Sequence, residues 1–191
     1  IINAQEKLLV VQHSTWLLLA GGLWWLFSNN ILSRSEQITY LVIGAITPTL
    51  LGLWQFFAQT SITSTVLGLS FISPEVAGSP VIVGETGRWL RAFGSFPHPN
   101  IFGGYLAAIL GLILSLDNKY TISNNDNWPW RLVVIILSTA LVLTFSRSAL
   151  AVWILFMIYY HYQIFKTERG SELAVQVFIS VLTVALVLSF T

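Results

Sequence analysis

Cations and helix-capping residues are concentrated in one stretch of the chain, from Arg88 to Tyr105. Its centre reads F-P-H-P-N, so that prolines flank His98 and Asn100 follows. Proline is favoured at the first position of a helix, where its missing N–H costs nothing, and the sequence therefore predicts a helix that begins at His98–Asn100. The first amides of a helix are unpaired and carry partial positive charge. With Arg88 and Arg91 within ten residues, this helix start suits a phosphate-bearing anion.

A further arginine, Arg147, stands alone in a long apolar stretch. It is the single charged residue between Leu132 and Phe165. One helix of that length would extend about 50 Å, against a hydrocarbon core of about 30 Å, so the stretch predicts two helices with a reversal at Thr144–Ser148. An arginine near an apolar zone is a functional candidate by default. The alternative is an arginine that snorkels to the headgroups at a helix end.

The composition indicates an integral membrane protein. The chain is 55% hydrophobic and 9% charged, whereas about a quarter of the residues of a soluble domain are charged. A net charge of +1 with scattered basic residues argues against a nucleic-acid partner. The chain has no cysteine, and its three histidines are dispersed without paired carboxylates. That pattern lacks the ligand spacing of a metal site, and we expect neither a metal nor another cofactor.

The charge-free runs predict an all-α fold, a single domain over 1–191 made of a polytopic transmembrane bundle of about six spans. The predicted spans are residues 8–30, 38–58, 100–116, 131–145, 148–166 and 173–191. Between the second and third spans, residues 59–98 form one long loop, and long loops are commonly functional. Because the sequence opens at Ile1 without a signal-peptide pattern, we expect a fragment of a longer polytopic protein.

The distribution of lysine and arginine orients the predicted spans. If loop 59–98 is extracytoplasmic, five basic residues fall on the cytoplasmic side and four on the outer side, a weak positive-inside bias. Three of the four outer charges are Arg88, Arg91 and Arg147. Because successive spans alternate in direction, this orientation places Arg147 on the outer face of the membrane, where the predicted helix start at His98–Asn100 also lies. We therefore predict that Arg91 and Arg147 converge on one cavity at the outer membrane face.

Two segments, R-A-F-G-S-F-P-H-P-N-I-F-G-G-Y-L-A and L-T-F-S-R-S-A-L-A, resemble the O-antigen ligase and O-antigen polymerase superfamily of bacterial inner membranes. In that family the first segment opens a transmembrane helix, and an S-R-x-A segment follows two spans later. The resemblance covers Arg91 to Ala151, about a third of the chain. It implies a multi-pass, metal-independent glycosyltransferase of the C type. Such an enzyme moves a glycan from an undecaprenyl-diphosphate carrier among the membrane lipids to a glycan, lipid or protein acceptor.

By this resemblance Arg91 and Arg147 would grip the carrier diphosphate, with His98 and Asn100 beside it at the helix entrance. The candidate catalytic residues are accordingly Arg91, Arg147 and His98. Arg88 and Asn100 join the two arginines as candidate diphosphate ligands. Members of the family carry a further catalytic histidine in a large outer loop towards the C-terminus. We expect that loop to lie beyond the present sequence, so His98 is not its equivalent.

Two other functions remain open. Some proteins with the same pair of segments have been labelled bicarbonate transporters, and an anion passing between helices can use a helix N-terminus and arginines. A cavity open sideways to lipid would favour the transferase, and one open to both faces would favour the transporter. If the two arginines point apart, a non-catalytic membrane scaffold is favoured.

Overall fold

The computed structural model describes residues 4–29, 31–64, 69–84, 87–115 and 128–166. This part of the chain contains five helices and a two-stranded antiparallel sheet. The elements are α1 (Ala4–Ser28), α2 (Arg34–Ala58), β1 (Val81–Gly84), β2 (Gly87–Leu90), α3 (Pro99–Leu114), α4 (Trp128–Leu143) and α5 (Arg147–Lys166). The chain divides into two compact units, Ile1–Tyr40 and Leu41–Thr191. The candidate site lies in the second.

The prediction of a six-span, all-α bundle is wrong. Among the described residues, Arg34–Ala58 is the one helix long and apolar enough to cross a membrane. The helices α3 and α4 have 16 residues each, or about 24 Å, which is shorter than a hydrocarbon core of about 30 Å. Each described helix ends within four residues of its predicted bounds, but a charge-free run shows only that a segment is apolar and not that its helix is long enough to cross a bilayer. The β1–β2 hairpin also departs from an all-α fold, and the predicted span 173–191 lies outside the described residues.

In the first unit, a capping box starts α2. The Ser33 N–H donates to Glu36 Oε2 at 2.8 Å, and the Glu36 N–H donates to Ser33 Oγ at 3.4 Å. Each side chain thereby satisfies an amide that the helix leaves unpaired. The helix begins at Arg34 for this reason, four residues before the predicted start at residue 38.

The reversal predicted between the last two described helices is confirmed. Helix α4 ends at Leu143 and α5 begins at Arg147. In the turn, Phe145 adopts a φ of 49°, a left-handed conformation that costs a non-glycine residue roughly 1–2 kcal/mol. The Phe145 ring stacks on Phe56 of α2, with centroids 6.2 Å apart. Such an aromatic pair contributes about 0.5–1.5 kcal/mol beyond its burial and offsets much of that cost.

Helix α3 packs against α4 and α5 through apolar faces. The large side chains that are fully buried there are Phe102, Leu106, Leu110, Val134, Leu137, Leu141 and Trp153. The packing is close at Gly103, where an added Cβ would lie 2.8 Å from Thr144 Oγ1, 3.0 Å from Ser146 Cβ and 3.1 Å from Ala149 Cβ. The absence of a side chain at Gly103 therefore lets the start of α3 touch the α4–α5 turn and the first residues of α5.

Candidate functional site

Arg91 lies in a short segment, Leu90–Gly94, whose two ends are held by glutamines. Gln59 Oε1 accepts the Leu90 N–H at 2.7 Å. Gln55 Oε1 accepts the Gly94 N–H at 2.8 Å, and its Nε2 donates to the Gly94 carbonyl at 2.9 Å. Since Gln55 is buried within α2 and Gln59 follows the end of that helix, one helix end fixes both ends of the segment.

Backbone contacts hold the middle of the same segment. The Arg91 N–H donates to the Pro80 carbonyl at 3.0 Å, and the Ala92 N–H donates to the Leu143 carbonyl at 2.9 Å. Gly94 has a φ of 59°, and an added Cβ would lie 2.6 Å from the Pro48 carbonyl oxygen. The backbone at Arg91 is therefore joined to α2, to the residue before β1 and to the end of α4.

The guanidinium group of Arg91 connects the two segments that the sequence singled out. Its Nε donates to the Thr144 carbonyl at 2.7 Å, and its Nη2 donates to Asn100 Oδ1 at 2.7 Å. These bonds engage two of the five N–H donors of a guanidinium, which leaves three for a ligand. Arg91 is half-buried, and this burial lowers the pKa of its guanidinium. The group stays charged because a guanidinium is not deprotonated in proteins.

His98 is the N-cap of α3, and the predicted helix start at His98–Asn100 is confirmed. The backbone of His98 is extended, with φ −151° and ψ 141°, and its Nδ1 accepts the Asn100 N–H at 3.1 Å. Its carbonyl accepts the N–H groups of Ile101 and Phe102. Pro99 occupies the first helical turn, where the missing N–H costs nothing.

Arg147 is the first residue of α5, three positions after the carbonyl that Arg91 binds. Its side chain is exposed, and within the described part of the chain no hydrogen bond or ion pair holds it. A cation in this position faces the positive end of its own helix, which is unfavourable by about 0.3–1 kcal/mol. The placement of Arg147 thus leaves positive charge without a protein partner in the described residues.

Helices α3 and α5 both begin at this place, and neither has an acidic residue in its first turn. The contact of Gly103 with Ala149 brings the two first turns together. The first amides of α3 are already bonded to His98. The donors left at this place are the first amides of α5, the three remaining N–H groups of Arg91, and the side chain of Arg147 at the first position of α5. Such a set of donors can bind an anion with several oxygens, and phosphate is the common example.

Arg88 lies apart from these contacts. It is exposed on β2 opposite Val83 of β1. The Ser73 hydroxyl, which donates to Glu75 Oε2 at 2.8 Å, is the main cause that lowers the pKa of Glu75, and the charge of Arg88 makes a smaller contribution in the same direction. The charge of Arg88 therefore acts on Glu75 within loop 59–98 and not on Asn100 or the start of α5.

Sequence reasoning missed three residues that build the site: Gln55, Gln59 and Thr144. The signal for the glutamines was present, because two amides four residues apart at the end of an apolar helix need partners when buried. Thr144 is buried; its hydroxyl donates to the Leu141 carbonyl at 2.6 Å and accepts the Ser146 N–H at 3.2 Å. It closes the α4–α5 turn and presents its carbonyl to Arg91.

In the described residues, no group of three or more histidine, aspartate or glutamate side chains could hold a metal ion. No family model, curated protein or solved structure matches the chain. The functional argument therefore depends on the geometry of the site and on the two sequence segments that meet there.

Proposed function

We propose that this chain belongs to a bacterial inner-membrane protein that transfers or polymerises a glycan carried on undecaprenyl diphosphate, in the manner of the O-antigen ligases and polymerases it resembles. The transfer would take place at the periplasmic face. The observation that carries the proposal is the bridge from Thr144 through Arg91 to Asn100, which joins the two family-like segments at one place.

A diphosphate suits the electrostatics of this place. Two helix starts meet there beside the Arg91 guanidinium, Arg147 is the first residue of α5, and the first turns of α3 and α5 lack acidic residues. The positive ends of the helices and the two cations favour the approach of an anion. A planar guanidinium can bind two phosphate oxygens at once, which a lysine cannot do. The free N–H groups of Arg91 and the exposed side chain of Arg147 are the donors for those oxygens.

The same donors would assist the chemical step. In glycan transfer, an acceptor hydroxyl oxygen bonds to the anomeric carbon and loses its proton, while the bond from that carbon to the diphosphate breaks. The departing diphosphate gains negative charge. Fixed cations aimed at a position where charge develops stabilise the transition state, and removal of one such donor typically costs about 100- to 1000-fold in rate.

Placement in a membrane is part of the proposal. It is supported by α2, which is long and apolar enough to span a bilayer. It is also supported by apolar side chains that α2 and α5 leave exposed. They include Ile43, Ile46, Leu50, Trp54, Phe57, Leu155, Ile158 and Tyr159. Lipid would remove this surface from water, a gain of about 25 cal/mol for each Å².

The test is transfer by the full-length protein in proteoliposomes that contain an undecaprenyl-diphosphate-linked oligosaccharide. We expect transfer to an added acceptor, competition by undecaprenyl diphosphate and no loss on addition of a chelator. Arg147→Ala should lower transfer by about 100- to 1000-fold. Bicarbonate flux without consumption of the donor would refute the transferase in favour of the transporter. Unchanged transfer in Arg147→Ala would remove this site from the mechanism.

A further inference from the structure

We infer that His98 is a positioning residue for Arg91: its imidazole holds Asn100, and Asn100 in turn holds the guanidinium group. Only the consequence for glycan transfer rests on the proposed function. The effect on Arg91 itself is independent of it.

The first link is the cap of α3. His98 Nδ1 accepts the Asn100 N–H at 3.1 Å. A nitrogen that accepts a hydrogen bond is unprotonated, so the proton of the neutral ring is on Nε2. The first amides of a helix have no acceptor within the helix, and the imidazole fills the place that a serine, threonine, aspartate or asparagine oxygen usually takes.

The second link is the side chain of Asn100. Its Oδ1 accepts Arg91 Nη2 at 2.7 Å, while the Thr144 carbonyl accepts Arg91 Nε at 2.7 Å. One anchor would let the planar guanidinium rotate, whereas two anchors on different nitrogens fix its plane. The Thr144 anchor is a backbone atom of a closed turn. The Asn100 anchor depends on the His98 cap, which orients the first residues of α3.

The cap also argues against His98 as a proton acceptor. The lone pair of Nδ1 is engaged by the Asn100 amide, and in that tautomer Nε2 already carries a proton. A proton can enter the ring only at Nδ1, and its arrival there breaks the bond to Asn100. Any step that uses His98 as a base would therefore release the residue that holds Arg91. The Nε2–H group remains an outward hydrogen-bond donor.

The experiment compares His98→Asn with His98→Ala in the full chain. Asparagine is a favoured N-cap residue because its side-chain oxygen accepts the same amide, whereas alanine cannot accept it. The readout is the rate at which phenylglyoxal modifies Arg91, followed by peptide mass spectrometry. We expect several-fold faster modification of Arg91 in His98→Ala and a wild-type rate in His98→Asn. Arg147 is the internal reference and should react at one rate throughout.

A further variant separates the cap from general loss of structure. Asn100→Ala keeps the backbone amide that His98 caps but removes the oxygen that Arg91 binds, so Arg91 should again react faster. Equal Arg91 rates in all variants would overturn the inference, whatever happens to transfer. A change at Arg147 that parallels the change at Arg91 would indicate loosening of the whole region and would overturn it equally.

Glycan transfer gives the second readout. We expect His98→Asn to retain transfer and His98→Ala to lose about tenfold, the rate equivalent of a lost N-cap. Equal inactivity of both variants, with Arg91 labelled at the wild-type rate in His98→Asn, would make the imidazole a chemical participant and overturn the positioning role. Absence of transfer by the wild-type protein would refute the proposed function, while the Arg91 labelling would still decide this inference.

Discussion

The two arginines of the site are held in opposite ways. Arg91 sits in a segment fixed by α2, by Pro80 and by the end of α4, and its guanidinium is anchored at two nitrogens. Arg147 is exposed at the first position of α5, and no partner holds it among the described residues. One cation is therefore oriented before a ligand arrives. The other must lose side-chain freedom on binding, which costs up to about 2 kcal/mol.

The difference comes from where each region places its polar groups. The α4–α5 turn satisfies its hydroxyl and amide groups internally: Thr144 Oγ1 bonds within the turn, and the Leu150 N–H donates to the Ser146 carbonyl at 2.9 Å. The bonds that it makes outward are accepted by backbone carbonyls, those of Leu143 and Thr144, from Ala92 and Arg91. The segment Leu90–Gly94 bonds outward to other elements instead. A turn that closes on itself leaves its arginine free for a ligand. A segment that is held from outside fixes its arginine, and such preorganised donors need no reorganisation during reaction.

The largest effect is expected from Arg91→Ala, because it removes both the ligand donor and the bridge. The Thr144 carbonyl and Asn100 Oδ1 lose their partner, which should lower the free energy of unfolding by about 1–3 kcal/mol. Transfer should fall by about 100- to 1000-fold. Chemical denaturation and a transfer assay measure the two losses on one preparation. An alanine variant as stable as the wild type would show that the bridge contributes nothing to the fold.

Arg147→Ala should separate the two losses. Transfer should fall by about 100- to 1000-fold, while the free energy of unfolding should change by less than about 0.5 kcal/mol. Stability could even rise slightly, because a cation leaves the positive end of α5. The same two assays measure the result. If Arg147→Ala loses as much stability as Arg91→Ala, the contrast between a fixed and a free arginine is wrong.

Gly103→Ala should disturb the contact between the two regions. The new Cβ would lie 2.8 Å from Thr144 Oγ1 and must push the turn away, which costs about 1–3 kcal/mol for overpacking. Gly104→Ala is the matched control on the same helix, since nothing lies within 4 Å of its added Cβ. That control should gain up to about 1 kcal/mol of helix propensity. Thermal unfolding of the pair measures the contrast, and equal shifts would contradict it.

Gln59→Gly should give the smallest effect, and its sign is informative. Gln59 has a φ of 53°, where glycine is normally preferred after a helix. Its amide, however, also binds the Phe56 carbonyl and the backbone of Leu90. Loss of the Leu90 anchor should outweigh the relief of strain, and we expect a net loss of about 1 kcal/mol. A gain in unfolding free energy would mean that the segment does not depend on this anchor.

Local signals in the sequence predicted local features of the fold well. The P-H-P-N run identified the start of α3, since proline and a capping residue act within one helical turn. The apolar length from Leu132 to Phe165 predicted the reversal that the structure has at Thr144–Ser146. The S-x-x-E pattern at Ser33 is also a capping-box signature of the start of α2, although the charge-free run placed the predicted span four residues later.

Contacts between residues far apart in the sequence could not be predicted from local sequence patterns. One of the two anchors of Arg91 is the backbone carbonyl of Thr144. Every residue has a backbone carbonyl, so the residue type gives no sign of this role. The glutamine anchors join α2 to a segment more than thirty positions away. The predicted count of spans failed because an apolar helix is not always a membrane-spanning one: among the described residues only Arg34–Ala58 is long and apolar enough to cross a membrane. The convergence of Arg91 with the turn of Arg147 was predicted only by assuming alternating spans.

The order of synthesis has a consequence for how the Arg91 bridge forms. Gln55 and Gln59 leave the ribosome before Arg91, and Asn100 follows it after 9 residues, whereas Thr144 follows after 53. Because synthesis adds about 5–20 residues per second, Thr144 is made roughly 3–10 seconds after Arg91, whose Nε–H its carbonyl accepts. The nascent chain therefore carries Arg91 for that time with only its earlier neighbours and Asn100 available. The contacts of Arg91 can therefore form first with residues before it and with Asn100, and the contact with the α4–α5 turn can form only after that turn has been synthesised.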